Sequence, residues 1–289
     1  MGNDSVIYIR TDGNSNIATG HLVRCLCIAE ALETLGKSVC FLVSDEDSEA
    51  LLRDLAESIF SDYSSFDINI LETAAYNNLE LEIDELVEFL NSYCISPSLN
   101  QPLSSTTSDV LSKKMPVLFI DSYFVTADYL TSLRKVAKVA YMDDLRAFDY
   151  DVDMVINYDV IPESKREEYH RSYTNAGITL LGAQYTPLRS QFQNQGVILR
   201  EEIKDILITT GGSDPYHYTE SLISSLLSQD YGINLHAVVG KLFQDTSTLE
   251  ALSAEHSNVH LHHNVSNMAA LMKQCDFAIS AAGTTLYEL

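Results

Sequence analysis

What most constrains this chain is an alternation. Short apolar runs recur, each followed by a polar turn and then a stretch with helical spacing. VIYIR (6–10) leads into the polar loop TDGNSNIAT. From Gly20, a segment with Leu22, Leu26, Ala29 and Leu32 on one face leads into VCFLV (39–43). Strand, helix and strand in that order predict a βαβ unit, and with it a parallel sheet and a right-handed crossover. Further strands are expected at VLFI (117–120), KVAYM (138–142), MVIN (154–157) and ITLLG (178–182), with helices over 79–93 and from Thr126.

The pattern weakens after Pro187 and resumes at DILITT (205–210), LHAVVG (235–240), NVHLHH (258–263) and DFAIS (276–280). Helical spacing lies between these runs, near 217–229, 247–255 and 266–274. The expectation is an α/β protein of two Rossmann-like domains, residues 1–190 and 203–289, with the boundary near 187–203. The C-terminal domain stops at TTLYEL and reads as truncated. Residues 96–108, rich in Ser, Thr, Pro and Asn, read as an exposed loop or insertion.

Charge narrows the partners. Lys and Arg number 18 against 41 Asp and Glu, a formal balance of −23. Such a surface repels polyanions, so neither nucleic acid nor an anionic membrane is an expected partner. A small anion remains compatible, because backbone dipoles and a few Arg can hold it. No apolar run approaches the ~18 residues of a bilayer span. The opening MGNDSVIYIR carries no basic leader. The five cysteines, Cys25, Cys27, Cys40, Cys94 and Cys275, have no CxxC spacing. They read as free thiols of a cytoplasmic protein, not as a metal site.

In open parallel sheets ligands bind beyond the carboxyl ends of the strands. The polar residues expected there are Asp12, Gly20, His21 and Arg24; Asp121 and Tyr123; Asp143 and Asp144; Gly211, Gly212, Ser213 and Asp214; and Gly283, Thr284, Thr285 and Glu288. Two such edges facing one another would form a cleft. His21 falls in a first helical turn, where the positive helix end favours a neutral imidazole able to act as a base; the alternative is a ring that only caps or packs. Arg24, one turn on, is either a ligand contact or a solvated helix residue. The acids either contact a ligand or cap loops and helices. In GGSDP (211–215) the glycines would let the backbone approach a phosphate, with Pro215 at a helix N1 position. In AAGTTLYEL (281–289) Gly283, Thr284 and Thr285 would offer donors at a helix start. Glu288, one turn inside, either accepts from ribose hydroxyls or lies on the surface. His260 and His262 share a strand face, a metal pair only if a third ligand joins them.

Several segments, in order, resemble one family. TDGNSNIATGHLVRCLCIAEAL (11–32), IDSY (120–123), MDDL (142–145), LLGAQYTPLRSQF (180–192), GGSDP (211–215) and MAALMKQCDFAISAAGTTLYE (268–288) are similar to the UDP-sugar hydrolases of bacterial sialic-acid-like sugar biosynthesis. Within these they most resemble the UDP-2,4-diacetamido-2,4,6-trideoxy-β-L-altropyranose hydrolases of the pseudaminic acid pathway. The family's G-x-G-H-x-x-R-C opening has Ala18 in place of its first Gly, and its Asp-His-Tyr reads Asp121-Ser122-Tyr123.

The resemblance implies a GT-B-type pair of Rossmann-like domains, related to the transferase that makes lipid II. UDP would bind mainly to the C-terminal domain. The glycosidic C1–O bond of a UDP-sugar would be hydrolysed with inversion, without a metal or other cofactor. His21 then takes the place of the base that activates water, and Arg24 and Cys25 those of the motif Arg and Cys. Gly283, Thr284, Thr285 and Glu288 fall at the diphosphate and ribose contacts, and Gly212 and Ser213 at the other loop. Two alternatives stay open: a UDP-sugar-dependent glycosyltransferase of the same fold, and a non-catalytic UDP-sugar-binding module. Release of UDP without any acceptor separates the first from hydrolysis, and binding without turnover marks the second.

Overall fold

The computed structural model describes residues 6–14, 16–17, 19–59, 66–93, 115–193, 196, 199–229, 231–281 and 283–289. The 96–108 segment, Ala18 and Cys94 lie outside them. The chain divides into two compact units, one of Met1–Asp12 with Ile28–Thr186, the other of Gly13–Cys27 with Pro187–Leu289.

Among the described residues the first unit is built on seven strands: β1 (Ile7–Thr11), β2 (Val39–Val43), β3 (Phe66–Ile70), β4 (Val117–Asp121), β5 (Lys138–Met142), β6 (Met154–Asn157) and β7 (Ile178–Leu181). They form one sheet in the order β3-β2-β1-β4-β5-β6-β7, every pairing parallel. All five residues of β2 are buried. That is why this strand reads as a continuous apolar run without alternation. Its helices are α2 (Glu46–Ile59), α3 (Ile83–Tyr93), α4 (Ala127–Leu133) and α5 (Arg166–Arg171), while α1 (Gly20–Thr34) belongs to the second unit as far as Cys27 and to the first from Ile28. Leu86 and Leu90 of α3 and Tyr129, Leu130 and Leu133 of α4 pack on the sheet face that carries Tyr8, Leu42, Leu118, Ile120 and Val139. Each such Leu withdrawn from water contributes roughly 1.5–3 kcal/mol. Thr126 starts α4 by accepting the Tyr129 N–H on its hydroxyl at 3.1 Å.

The helix expected over 79–93 is broken. Residues Leu79–Glu82 form a 3₁₀ turn and α3 starts at Ile83. Glu82, the last residue of that turn, is buried against a cation. Arg10 on β1 is 0% exposed. Its Nε and Nη2 donate to Glu82 Oε1 and Oε2 at 2.7 and 2.8 Å. Its Nη1 donates to Asp12 Oδ2 at 2.6 Å and to the Thr11 carbonyl at 3.2 Å. Tyr129 adds its hydroxyl proton to Glu82 Oε1 at 2.6 Å. Burial opposes the guanidinium charge, but Asp12 and Glu82 more than offset it and hold Arg10 firmly protonated. Burial, with Glu82 beside it, raises the Tyr129 phenol well above its ordinary range.

Among the described residues the second unit carries four parallel strands, β8 (Asp205–Thr209), β9 (Asn234–Val239), β10 (Val259–His263) and β11 (Phe277–Ser280), in the order β10-β9-β8-β11. Its further helices are α6 (Tyr218–Leu227), α7 (Ser247–Glu255) and α8 (Met268–Gln274). Ile206, Ile208, Leu235, Ala237 and Val259 pack on one face with Ile223 of α6 and Leu249 of α7. Leu207 packs on the other with Met268 and Leu271 of α8. At the amino end of this sheet, Asp276 accepts the Lys204 and Asp205 N–H groups at 2.8 and 2.9 Å and Arg200 Nη1 at 2.6 Å.

Two outcomes follow. Arg10→Met leaves two carboxylates buried without their cation, and urea unfolding should lose about 3–5 kcal/mol; a loss under about 1 kcal/mol would show that the network is dispensable. The Lys204 N–H first, and then Arg200 and the Asp205 N–H, hold the Asp276 carboxyl down to about 2. A value depressed on folding adds stability above the ordinary Asp value of about 3.9, which is lost as the pH falls toward 2. Asp276→Asn should flatten the decline of stability between those values in pH-resolved urea titrations, and an unchanged slope would contradict this.

Candidate functional site

Strand order reverses between β1 and β4 in one sheet and between β8 and β11 in the other. A crevice opens at such a reversal beyond the carboxyl ends of the strands. In the first unit Thr11 pairs with Asp121 across it. In the second Thr209 pairs with Ser280. Topology therefore gathers Asp12 and Asp121 at one reversal. It gathers the loop after β8 (Gly211, Gly212, Ser213) and the loop after β11 (Gly283, Thr284, Thr285) at the other.

At the first reversal Asp12 is buried and both its oxygens are engaged. Oδ2 takes Arg10 Nη1, and Oδ1 takes the Ser44 N–H at 2.7 Å. Its observed work is to tie the end of β1 to the loop after β2. Asp121 is buried and Tyr123 is 44% exposed. Beside Asp121, the Thr11 hydroxyl is buried without a hydrogen-bond partner. The adjacent acids after β5 separate. Asp143 is buried and accepts from the Leu145 and Arg146 N–H groups and from the hydroxyls of Tyr150 (2.9 Å) and Tyr173 (2.6 Å). It anchors a loop in which Arg146 takes a left-handed conformation at φ 50°. Burial first, then Asp143, pushes both phenols above their ordinary range. Asp144 is half-buried.

In the second unit, Asn14 Oδ1 accepts the Asn16 and Ile17 N–H groups at 2.9 and 3.2 Å, which bends the chain toward the start of α1. Gly20, the first helical residue, is exposed. His21 and Arg24 are each only 4% exposed. Arg24 Nη2 lies 3.1 Å from His21 Nδ1. A guanidinium has donors only, so Nδ1 is the acceptor.

The start of α1 meets the glycine loop. A Cβ added to Gly212 would stand 2.7 Å from Thr19 Oγ1, and Gly211 adopts φ +100°, so each position calls for glycine. The Gly212 carbonyl accepts the Leu242 N–H at 3.0 Å. Ser213 is half-buried. Pro215 is not at N1 of a helix, since α6 starts at Tyr218. The helix start is served instead by Asp214, whose two oxygens accept the Tyr218 and Thr219 N–H groups at 2.9 and 2.8 Å. A closing turn of DP-x-H, with His217 left-handed at φ 52°, postpones the helix.

The Gly-Thr-Thr loop differs from expectation as well. Thr284–Tyr287 is a 3₁₀ turn with Gly283 before it and Glu288 after it. Gly283 is exposed, and Thr284 and Thr285 are half-buried. Glu288 is not a surface acid. Its side chain is 6% exposed, and Arg189 Nε and Nη2 donate to Oε1 and Oε2 at 2.8 and 2.7 Å. Arg189 lies inside the LLGAQYTPLRSQF segment but carries no local pattern that marks it as a partner of residue 288.

His260 and His262 share a face with His236 of β9. His236 stacks on both rings, its Nδ1 lies 3.0 Å from His262 Nε2, and its Nε2 lies 3.0 Å from Asp205 Oδ1. The His262 value is lowered by burial and then by His236. Among the described residues no group of three His, Cys, Asp or Glu side chains is placed to hold a metal. A pocket of about 230 Å³ beyond β6 and β7, lined by Val160, Arg166, Tyr169, His170, Leu181 and Gln184, contains none of the candidate catalytic or binding residues, though Leu181 and Gln184 lie in the LLGAQYTPLRSQF segment.

Comparison with known proteins follows the same lines. No protein-family model matches the chain. It is 26% identical to an uncharacterized protein of Methanocaldococcus jannaschii, over 98% of this chain and 53% of that protein. It is 24% identical to the spore coat polysaccharide biosynthesis protein SpsG of Bacillus subtilis, over 98% of this chain and 73% of SpsG. The chain thus spans about half the length of the first relative and about three quarters of the second.

Among solved structures, UGT89C1 of Arabidopsis thaliana complexed with UDP-L-rhamnose matches 99% of this chain and 77% of its own, with TM-score 0.55 and 12% identity. MurG of Acinetobacter baumannii matches 98% and 74%, with TM-score 0.57 and 13% identity. These likenesses establish the fold: α/β, parallel, Rossmann-like, of the GT-B class. Among the described residues no helix is long and apolar enough to cross a membrane.

The contact between Thr19 and Gly212 can be tested directly. Gly212→Ala should destabilise the protein by about 1–3 kcal/mol through overpacking. Adding Thr19→Ala leaves only a Cβ at 3.7 Å, an ordinary contact, and should restore most of the loss. Additive losses in the double-mutant cycle would refute the contact.

Proposed function

We propose that this chain acts on a UDP-linked sugar in polysaccharide biosynthesis and cleaves the sugar's C1–O bond with water as acceptor. The substrate we assign is a UDP-linked diacetamido-trideoxyhexose of nonulosonic acid biosynthesis, released with inversion together with UDP. One observation carries the reading. At the strand reversal of the second unit, one glycine loop lies against the start of the helix bearing His21, a second loop flanks it, and a carboxylate is held in a planar fork nearby in sequence. Support also comes from the distant relative SpsG, named for polysaccharide biosynthesis, and from the shared fold of a structure holding UDP-L-rhamnose.

The roles follow from chemistry. UDP is a good leaving group once its charge is met by fixed donors. The loops at Gly212–Ser213 and Gly283–Thr285 supply backbone N–H groups and hydroxyls for that purpose, which suits a protein of charge −23. Glu288 accepts from the ribose hydroxyls. Gly20 and Arg24 belong to the sugar side of this site; Asp12, Asp121, Tyr123 and Asp144 are the candidate substrate contacts of the first unit, Asp12 by holding the loop it anchors. His21 is the base. With Arg24 on Nδ1, its lone pair is occupied, so the ring takes a proton from water only after the guanidinium turns to an anionic group of the substrate. We take residues 1–190 and 203–289 as the two domains and place the activity in the cytoplasm.

A panel of UDP-diacetamido-trideoxyhexoses, followed by NMR for free UDP and for anomeric configuration, tests the reading. Release of UDP without acceptor and with inversion is expected. Release only when an acceptor is supplied would make the protein a transferase, and binding without turnover would make it a binding module. His21→Ala should cut sugar release by about 10²–10⁴-fold while UDP affinity changes less than about twofold. Near-native turnover would remove His21 from the role of base.

A further inference from the structure

We infer that Arg189 is a positioning residue for Glu288, and that through it the connecting segment sets the preference of the nucleotide site for ribose over deoxyribose. The inference rests on the reading of the second unit as the UDP site. Glu288 follows a four-residue 3₁₀ turn, a short element that by itself leaves the side chain several rotamers. Its carboxylate is nevertheless 6% exposed and bound at both oxygens by the Arg189 fork, at 2.8 and 2.7 Å. A bidentate guanidinium fixes both the position and the plane of a carboxylate. It uses one lone pair of each oxygen and leaves the second pair of each pointing away. Those remaining pairs point to opposite flanks of the fork, so one fixed oxygen can accept the 2′-hydroxyl that a ribose has and a 2′-deoxyribose lacks.

Arg189 is itself held. Its guanidinium carbon lies 4.9 Å from the centre of the Phe192 ring. Ser190–Phe192 form a 3₁₀ turn. Within it, Gln191 Oε1 accepts the Ala269 N–H at 3.0 Å, and Gln191 Nε2 donates to the Ser266 carbonyl at 3.3 Å. The segment that delivers Arg189 is thus pinned to the start of α8, so the fork presents the carboxylate from a fixed base. Lys cannot reproduce this, having a point charge in place of a planar fork.

The test titrates UDP and 2′-deoxyuridine 5′-diphosphate into the wild type, Arg189→Met and Arg189→Lys. Wild type should favour UDP by at least about tenfold, the scale of hydrogen bonds to a charged acceptor. In Arg189→Met the preference should fall to about twofold, with deoxy-nucleotide affinity changed less than about twofold; Arg189→Lys should lie between. A role confined to stability predicts equal weakening for both nucleotides, and that result, or a preference kept intact in Arg189→Met, overturns the inference. Should Arg189→Met fail to fold, the ratio in Arg189→Lys decides: a reduced preference supports the inference and an unchanged one overturns it. A wild type that binds both nucleotides equally, or neither, instead refutes the ribose contact or the UDP site itself, and the inference falls with it.

Discussion

A cation at the centre of a parallel sheet has to be matched, and the way Arg10 is matched organises much of the first unit. Two carboxylates and main-chain carbonyls converge on one guanidinium that water does not reach, and a phenol donates to one of those carboxylates. The carboxylates come from the end of β1 and from the turn before α3, and the phenol from α4. One ion therefore ties together three elements that are distant in sequence. Such networks are costly to desolvate and give modest net stability, yet losing one member is expensive. Here the network also fixes Asp12, and with it the start of the loop that leads to His21.

The second unit handles charge by a different route. The chain carries far more acid than base. At the reversal of this sheet lie two loops rich in small residues, one after β8 and one after β11. Arg189, partly buried and stacked, is engaged with Glu288. An anion met by peptide dipoles leaves the surrounding field acidic, which disfavours polyanions while admitting a small ligand.

The strands were the most legible part of the sequence. β2, β5 and β6 coincide with the apolar runs VCFLV, KVAYM and MVIN, because strands buried on both faces leave an uninterrupted signal. β3 was not legible: FDINI at a sheet edge alternates weakly, and two of its five residues are exposed. The short α5, REEYHR, buries only Tyr169 and has no periodicity to read. α2, whose first turn is acidic, is not among the helices expected from sequence, although it buries Leu52 and Ala56. Among candidate site residues, strand-end position was legible and side-chain partnership was not. Nothing local distinguishes Asp143, consumed by two tyrosines, from Asp144 beside it. Glu82 in LELE gives no sign of facing Arg10, 72 residues away, nor Glu288 of facing Arg189, 99 away.

The position of β11 beside β8 has a consequence for how the protein is made. β8 gains its second neighbour only when Phe277 pairs with Ile206, about seventy residues later. At translation speeds of about 5–20 residues per second, roughly 4–14 s pass between the synthesis of these two strands. Through that interval β8 offers an open row of amides and carbonyls, the kind of template on which nascent chains stick to one another. The crevice at this reversal does not exist until the interval closes.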